Sequence, residues 1–126
     1  MNNIKIYYED TDASGRVYHA NYLKYLERGR TNFLHKKNIT HDLLLKKFKI
    51  FFVVKKCFID FKKPAYFEDL LNVKTKIKEF NKIKIIFKQS ITRSSEYLLD
   101  AEILVVTLNK NGKIEKMPDI LQKNFY

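Results

Sequence analysis

The sequence predicts an α+β domain in which one long helix covers one face of a curved antiparallel sheet. Three observations predict it: a single stretch near the N-terminus carries apolar residues at helical spacing, the chain after about residue 50 alternates with a period of two, and the segments joining those alternating runs are too short for helical crossovers.

Ile4, Ile6 and Tyr8 alternate with Lys5 and Tyr7, which reads as a first strand ending at an acidic cluster. From about His19 to Lys37, Tyr22, Tyr25 or Leu26, Gly29 and Phe33 recur at helical spacing without a proline, so this is the long helix. Gly29 falls on its apolar stripe, where it costs up to ~1 kcal/mol of helix propensity. A close approach of the helix backbone to the sheet is therefore expected there. A short second helix from Thr40 to Phe48 has Thr40 as N-cap and Leu43, Leu44 and Leu45 turned inward. Ile50 to Phe61, Leu71 to Phe80, Ile83 to Arg93 and Tyr97 to Leu108 are rich in β-branched and aromatic residues and read as four long strands. KKPAYFED, Asn81 with Lys82, and SSE join them, lengths that favour hairpins, and Asn111 with Gly112 marks a further tight turn. Apolar residues on both faces of Ile83 to Ile91 and Leu98 to Leu108 predict that a partner subunit covers an edge or a face, making a homo-oligomer.

A chain of 126 residues is one domain by length, here 1–126, and its 45% hydrophobic and 31% charged composition is that of a folded core. No apolar run approaches the roughly 18 residues of a membrane helix, so no membrane insertion is expected. MNNIKIYYED lacks the apolar stretch of a secretory signal, and the cytoplasm is the expected address. The single cysteine, Cys57, excludes an internal disulfide and is expected to be a buried thiol in a reducing compartment. The net charge of +11 attracts phosphate-bearing or acidic molecules. Only Arg16, Arg28, Arg30 and Arg93 are arginines, however, and lysine rises with Ile, Asn, Phe and Tyr under AT-rich coding. With no aromatic stacking motif for bases, the charge reads as a solvated lysine coat rather than a specific nucleic-acid surface.

The stretch YYEDTDASGRVYHANYL, Tyr7 to Leu23, gathers three acids, one histidine and four tyrosines around a single glycine. Three readings compete for it. Carboxylates and an imidazole are acceptable metal ligands, but the glycine and terminal glutamate of a calcium loop are missing from their positions. The acids are also suited to capping the helix that begins near His19. The third reading is catalytic: a carboxylate just outside a helix N-terminus sits beside N–H groups with no intrahelical partner, which can polarise a bound carbonyl. Gly15 permits a sharp turn close to a ligand, while Tyr8 and His19 supply hydrogen-bonding groups. Such an arrangement suits acyl transfer. Ser14 lacks the histidine and the GxSxG elbow of a serine hydrolase.

DTDASGRVYHANYLKYLERGR resembles the signature of hotdog-fold acyl-CoA thioesterases of the 4-hydroxybenzoyl-CoA thioesterase type, in particular the bacterial branch associated with the Tol-Pal envelope system. FKKPAYFEDLLNV is similar to the family's proline-bearing turn, and the hairpin order extends the resemblance over nearly the whole chain. The resemblance implies a long helix wrapped by a curved sheet, Asp12 as the catalytic carboxylate, His19 and Tyr8 as its partners, and the backbone N–H at His19 facing the thioester oxygen. Asn21 fits a position that braces the loop, and Gly15, Val17, Tyr18 and Asn21 are the expected substrate-contacting residues. Arg16 stands where many relatives have an apolar or small residue. Glu27, which matches a helical glutamate used by another thioesterase branch, is expected instead to ion-pair with Arg28, Arg30 or a neighbour, and His35 and His41 to be surface or capping residues. Acyl-CoA is the implied substrate, and no cofactor or metal is expected. Coenzyme A carries several phosphates and acyl carrier protein is acidic, so the lysine excess suits either partner. A dimer of dimers is the assembly the resemblance implies. A non-catalytic acyl-CoA or acyl carrier protein binder and a hotdog dehydratase are the alternatives.

Overall fold

The computed structural model describes residues 3–125. β1 (Asn3–Lys5) leads through a 3-10 turn (Tyr8–Asp10) to α1 (Asn21–Lys36), then α2 (His41–Leu43), which a π turn (Leu44–Phe48) prolongs. β2 (Ile50–Phe61), β3 (Leu70–Phe80), β4 (Lys84–Arg93) and β5 (Glu96–Asn109) follow, with α3 (Asp119–Gln122) and a last 3-10 turn (Lys123–Phe125) at the end. All neighbouring strands are antiparallel, in the order β1-β3-β4-β5-β2.

The alternation sorts the side chains. Val73, Phe87, Ile91, Leu99, Ala101, Ile103 and Val105 are buried on the face that meets Tyr22, Tyr25, Leu26, Gly29 and Leu34 of α1. Register shifts between Val54 and Lys56, Ile77 and Glu79, and Ile91 and Thr92 add the extra residues that let the sheet curl. Gly29 is the point of nearest approach. A Cβ there would stand 2.5 Å from Val73 Cγ1, 3.0 Å from Thr75 Oγ1 and 3.1 Å from Gln89 Nε2, so the glycine on the helix stripe answers to the sheet.

Several expectations need correction. β1 ends at Lys5 because Tyr8 enters the 3-10 turn, where the Asp10 carboxylate accepts the Tyr7 N–H at 2.8 Å and the Tyr8 carbonyl accepts both the Thr11 amide and hydroxyl. Local side-chain bonds outcompete the ladder there. Thr40 does cap α2, accepting the Leu43 N–H at 3.1 Å, but only Leu44 of the three leucines is fully buried and Leu45 is exposed. Cys57 is exposed rather than buried. It lies in β2, an edge strand, in a run from Val54 to Phe58 that is exposed throughout.

Candidate active site

The loop from Thr11 to Val17 is a small hairpin: Thr11 bridges Val17, the Asp12 N–H donates to the Arg16 carbonyl at 2.9 Å, and the Gly15 N–H returns to the Asp12 carbonyl at 3.0 Å. Gly15 has φ +80°, a left-handed conformation that a side chain would strain. A second loop pins this hairpin, through an Arg16 bridge to Tyr66 and a Val17 N–H bond to the Ala65 carbonyl at 2.9 Å. That supporting loop is itself fastened. Arg93 donates to Asp69 at 2.7 Å, to the Pro64 carbonyl at 3.2 Å and to Glu96, while the Tyr22 hydroxyl accepts the Ala65 N–H at 3.1 Å.

The carbonyl of Asp10 joins the hairpin to the helix start. It accepts the Tyr18 N–H at 3.0 Å and the Asn21 side-chain amide at 2.9 Å. Along the chain Asp12 lies two residues beyond Asp10 and His19 one residue beyond Tyr18, so each leaves the clamp within a short stretch. The first turn of α1 is closed by Asn21, Tyr22 and Leu23 donating to the carbonyls of Tyr18, His19 and Ala20. The N–H groups of His19 and Ala20 have no acceptor among the described residues. No acid caps α1, whose N-cap is Ala20 without a side-chain bond, so the capping expectation does not hold.

Asp12 is exposed, and its Oδ1 accepts both the hydroxyl and the amide of Ser14, the latter at 2.9 Å. These two bonds, with Arg16 nearby, hold its carboxyl below the usual aspartate range. Oδ2 has no partner, and Asp12 makes no salt bridge among the described residues. The His19 ring is exposed and packs on Tyr18 at 4.8 Å. Tyr8 is 78% exposed, its ring 5.9 Å from that of Phe67. Val17 is buried in the core, while Asn21 is half-buried beneath the loop. Glu27 pairs with neither Arg28 nor Arg30 and instead accepts the Thr31 hydroxyl at 3.1 Å. Among the described residues no three His, Cys, Asp or Glu side chains are grouped to hold a metal.

The sequence reading passed over Ser14 except as a false nucleophile, and counted Arg93 among the arginines without giving it a role. The signal for Arg93 was available: in a chain so rich in lysine, a retained arginine marks a site that needs the planar fork.

Compared with known proteins, residues 7–125 match the thioesterase-like superfamily. The chain belongs to this superfamily. Within it, the acyl-CoA thioesterase YbgC of Haemophilus influenzae is 41% identical over 106 residues, 84% of this chain and 78% of that protein. The acyl-CoA thioester hydrolase YbgC of Escherichia coli O6:H1 is 36% identical over 107 residues, covering 84% and 79%. A crystal structure of a probable thioesterase from Bartonella henselae superposes with TM-score 0.88 at 34% identity, over 92% of this chain and 96% of that one. The hotdog fold expected from the sequence is the fold of these superfamily members, and no helix among the described residues is long and apolar enough to cross a membrane.

Proposed function

We propose that this protein is an acyl-CoA thioesterase that hydrolyses the thioester to a free acid and coenzyme A, with Asp12 as nucleophile or general base. Its relatives carrying that activity in their names support the reaction class. The observation that carries the site assignment is the presence, within nine residues of chain, of a carboxylate with an unbonded Oδ2 and two helix-start amides that have no acceptor among the described residues. Those amides of His19 and Ala20 suit the oxygen of the tetrahedral intermediate, a contribution of about 3 kcal/mol per donor in comparable sites.

In the general-base route Asp12 takes a proton from water as the water oxygen attacks the thioester carbon; collapse of the oxyanion then breaks the C–S bond, and the proton passes to the coenzyme A sulfur. In the nucleophilic route the carboxylate itself attacks, coenzyme A leaves, and water cleaves the mixed anhydride. His19 orients water or substrate or relays the proton, and Tyr8 donates a hydrogen bond at the mouth. Gly15, Tyr18 and Asn21 form the loop that faces substrate, and Val17 supports it from the core.

Asp12 is open to solvent, so a second chain is needed to enclose an acyl group beside it. β2 offers the means. It is a twelve-residue edge strand whose outer side pairs with no strand among the described residues, and a second copy of β2 is a matching cover. We therefore include a homo-oligomer in the proposal, with acyl carrier protein as an acidic partner suited to the net charge.

Thiol release from acyl-CoA, followed with a thiol reagent, tests the reading. Asp12→Asn is expected to lower kcat/KM by about 10²-fold or more with the folded structure intact, since it keeps shape and deletes charge. His19→Ala should cost less, and Tyr8→Phe less again. Near-wild-type hydrolysis by Asp12→Asn rejects the assignment. No thiol release from any acyl-CoA, with saturable binding retained, returns the non-catalytic binder, and loss of water without thiol release returns the dehydratase.

A further inference from the structure

The loop that pins the Asp12 hairpin is closed by one side chain that takes no part in the proposed chemistry. Arg93, the last residue of β4, reaches the loop between β2 and β3 at two points. Its Nη1 donates to the Pro64 carbonyl at 3.2 Å and to Asp69 Oδ2 at 2.7 Å, while Nη2 donates to Glu96. The same Asp69 Oδ2 accepts the Tyr66 N–H at 2.8 Å, so the guanidinium, the carboxylate and the turn between them form one hydrogen-bonded unit. Only 26% of the Arg93 side chain and 21% of that of Asp69 are exposed, and an ion pair so withdrawn is screened less than one at the surface. Inside the closed turn Glu68 sits at φ +72°, a left-handed conformation that a residue with a side chain keeps only where its surroundings hold it.

Between the points held by Arg93, the loop meets the candidate catalytic segment on both sides. The Ala65 carbonyl accepts the Val17 N–H at 2.9 Å and Tyr66 bridges Arg16, so the returning arm of the Asp12 hairpin lies along the loop. The Phe67 ring stands 5.9 Å from that of Tyr8. The Glu68 N–H donates to the Ile6 carbonyl and the Ile6 N–H to the Asp69 carbonyl, both at 2.9 Å, which ties the loop to the chain that enters the site. Asp12 itself bonds only within its hairpin, to Ser14, Gly15 and Arg16, among the described residues. Its place against the start of α1 is therefore set by whatever holds the hairpin.

We propose that Arg93 is a positioning residue for thioester hydrolysis: by closing the loop from Pro64 to Asp69 it fixes the Asp12 hairpin and Tyr8 at the start of α1. The proposal rests on the reading of Asp12 as the catalytic carboxylate. The residue type follows from the task, because a carbonyl and two carboxylates in different directions need the planar fork of a guanidinium rather than a single ammonium. Position matters to the rate: displacing a reacting group by about 1 Å costs on the order of 10²-fold. Arg93 acts through the loop and not on the substrate, so its loss falls on kcat rather than on ground-state binding.

Arg93→Lys in the full-length protein tests this, by amide hydrogen exchange and by thiol release from acyl-CoA. Exchange is expected to quicken at Val17 and Ala65, whose N–H groups bond to the Ala65 carbonyl and the Tyr22 hydroxyl, and to stay unchanged at Thr107, whose N–H bonds to the Ile83 carbonyl. An ion pair that merely stabilises the fold would quicken exchange at all three, through global unfolding. The kcat should fall by about tenfold or more with KM little changed. Asp69→Asn, which keeps shape and removes charge, should give the same pattern, and the double variant should lose no more than the stronger single change. It also keeps the test decisive where Arg93→Lys fails to fold. Exchange that is unchanged or quickened uniformly, losses in kcat that simply multiply, or a wild-type kcat beside local loosening overturns the proposal. Full activity of Asp12→Asn overturns the site reading and the proposal with it. Because exchange is read without hydrolysis, failure of the brace and failure of the site are told apart.

Discussion

Ser14 acts on Asp12 twice, through its amide and its hydroxyl, and both contacts favour the charged carboxylate over the protonated one. A group whose folded-state pKa is depressed stays ionised as the pH falls until that lowered value is passed. Ser14→Ala removes the hydroxyl, the largest of the stabilising contacts, so the pKa of Asp12 should rise. The acidic limb of the kcat/KM profile is then expected to move to higher pH, with the plateau at neutral pH changed far less; a limb that stays put would separate Asp12 from the titrating group. The arginines make a related point. Lysine predominates on the solvated surface, whereas Arg93 contacts two carboxylates and a carbonyl at once, and Arg30 donates to a buried glutamine. A single ammonium has neither the span nor the planarity for these tasks.

Among the elements, α1 shows local propensity yielding to packing. Alanine is the better helix former by ~1 kcal/mol, and in an isolated helix Gly29→Ala would stabilise. Here the added methyl meets Val73 at 2.5 Å from a rigid strand, and overpacking of that kind costs about 1–3 kcal/mol. Gly29→Ala is therefore expected to destabilise the protein by about 1 kcal/mol net, read as a lower midpoint in urea unfolding; a raised midpoint would show that the sheet moves away at little cost. The same substitution presses on Gln89 Nε2 and Thr75, and so disturbs the support of Arg30. β2 shows the opposite case. Its pairing with β5 runs from Ile50 to Phe61, but no strand pairs with its other edge among the described residues, and Val54 to Phe58 stand exposed.

For the whole molecule, the unpaired β2 edge and the half-buried apolar residues Ile86, Leu104, Val106 and Leu108 on the face of the sheet turned from α1 identify surface left over after the chain has folded. A net charge of +11 opposes self-association, so burial of this surface must outweigh the repulsion. Light scattering on the purified protein should give an even multiple of the chain mass, with association strengthened by salt as the charges are screened. Val54→Pro, which prevents strand addition and sits where β2 already departs from regular register, should shift the mass toward that of one chain. A wild-type monomer at micromolar concentration would count against the assembly.

The sequence by itself determined the order of the long helix, the short second helix and the strands, the limits of β2 to β5 to within a residue, the Gly29 approach, the Thr40 cap and the loop that carries Asp12, but not α3. Each is written in a period, a cap or a turn residue, which are local signals. Tertiary structure alone decided the rest. The exposure of Cys57 and Leu45, the Arg93 brace and the Arg30 to Gln89 contact depend on residues as much as 59 positions apart. Periodicity assigns a residue to a face, but which neighbour stands across that face depends on strand order and on where the sheet ends, and neither is encoded within reach of a single turn.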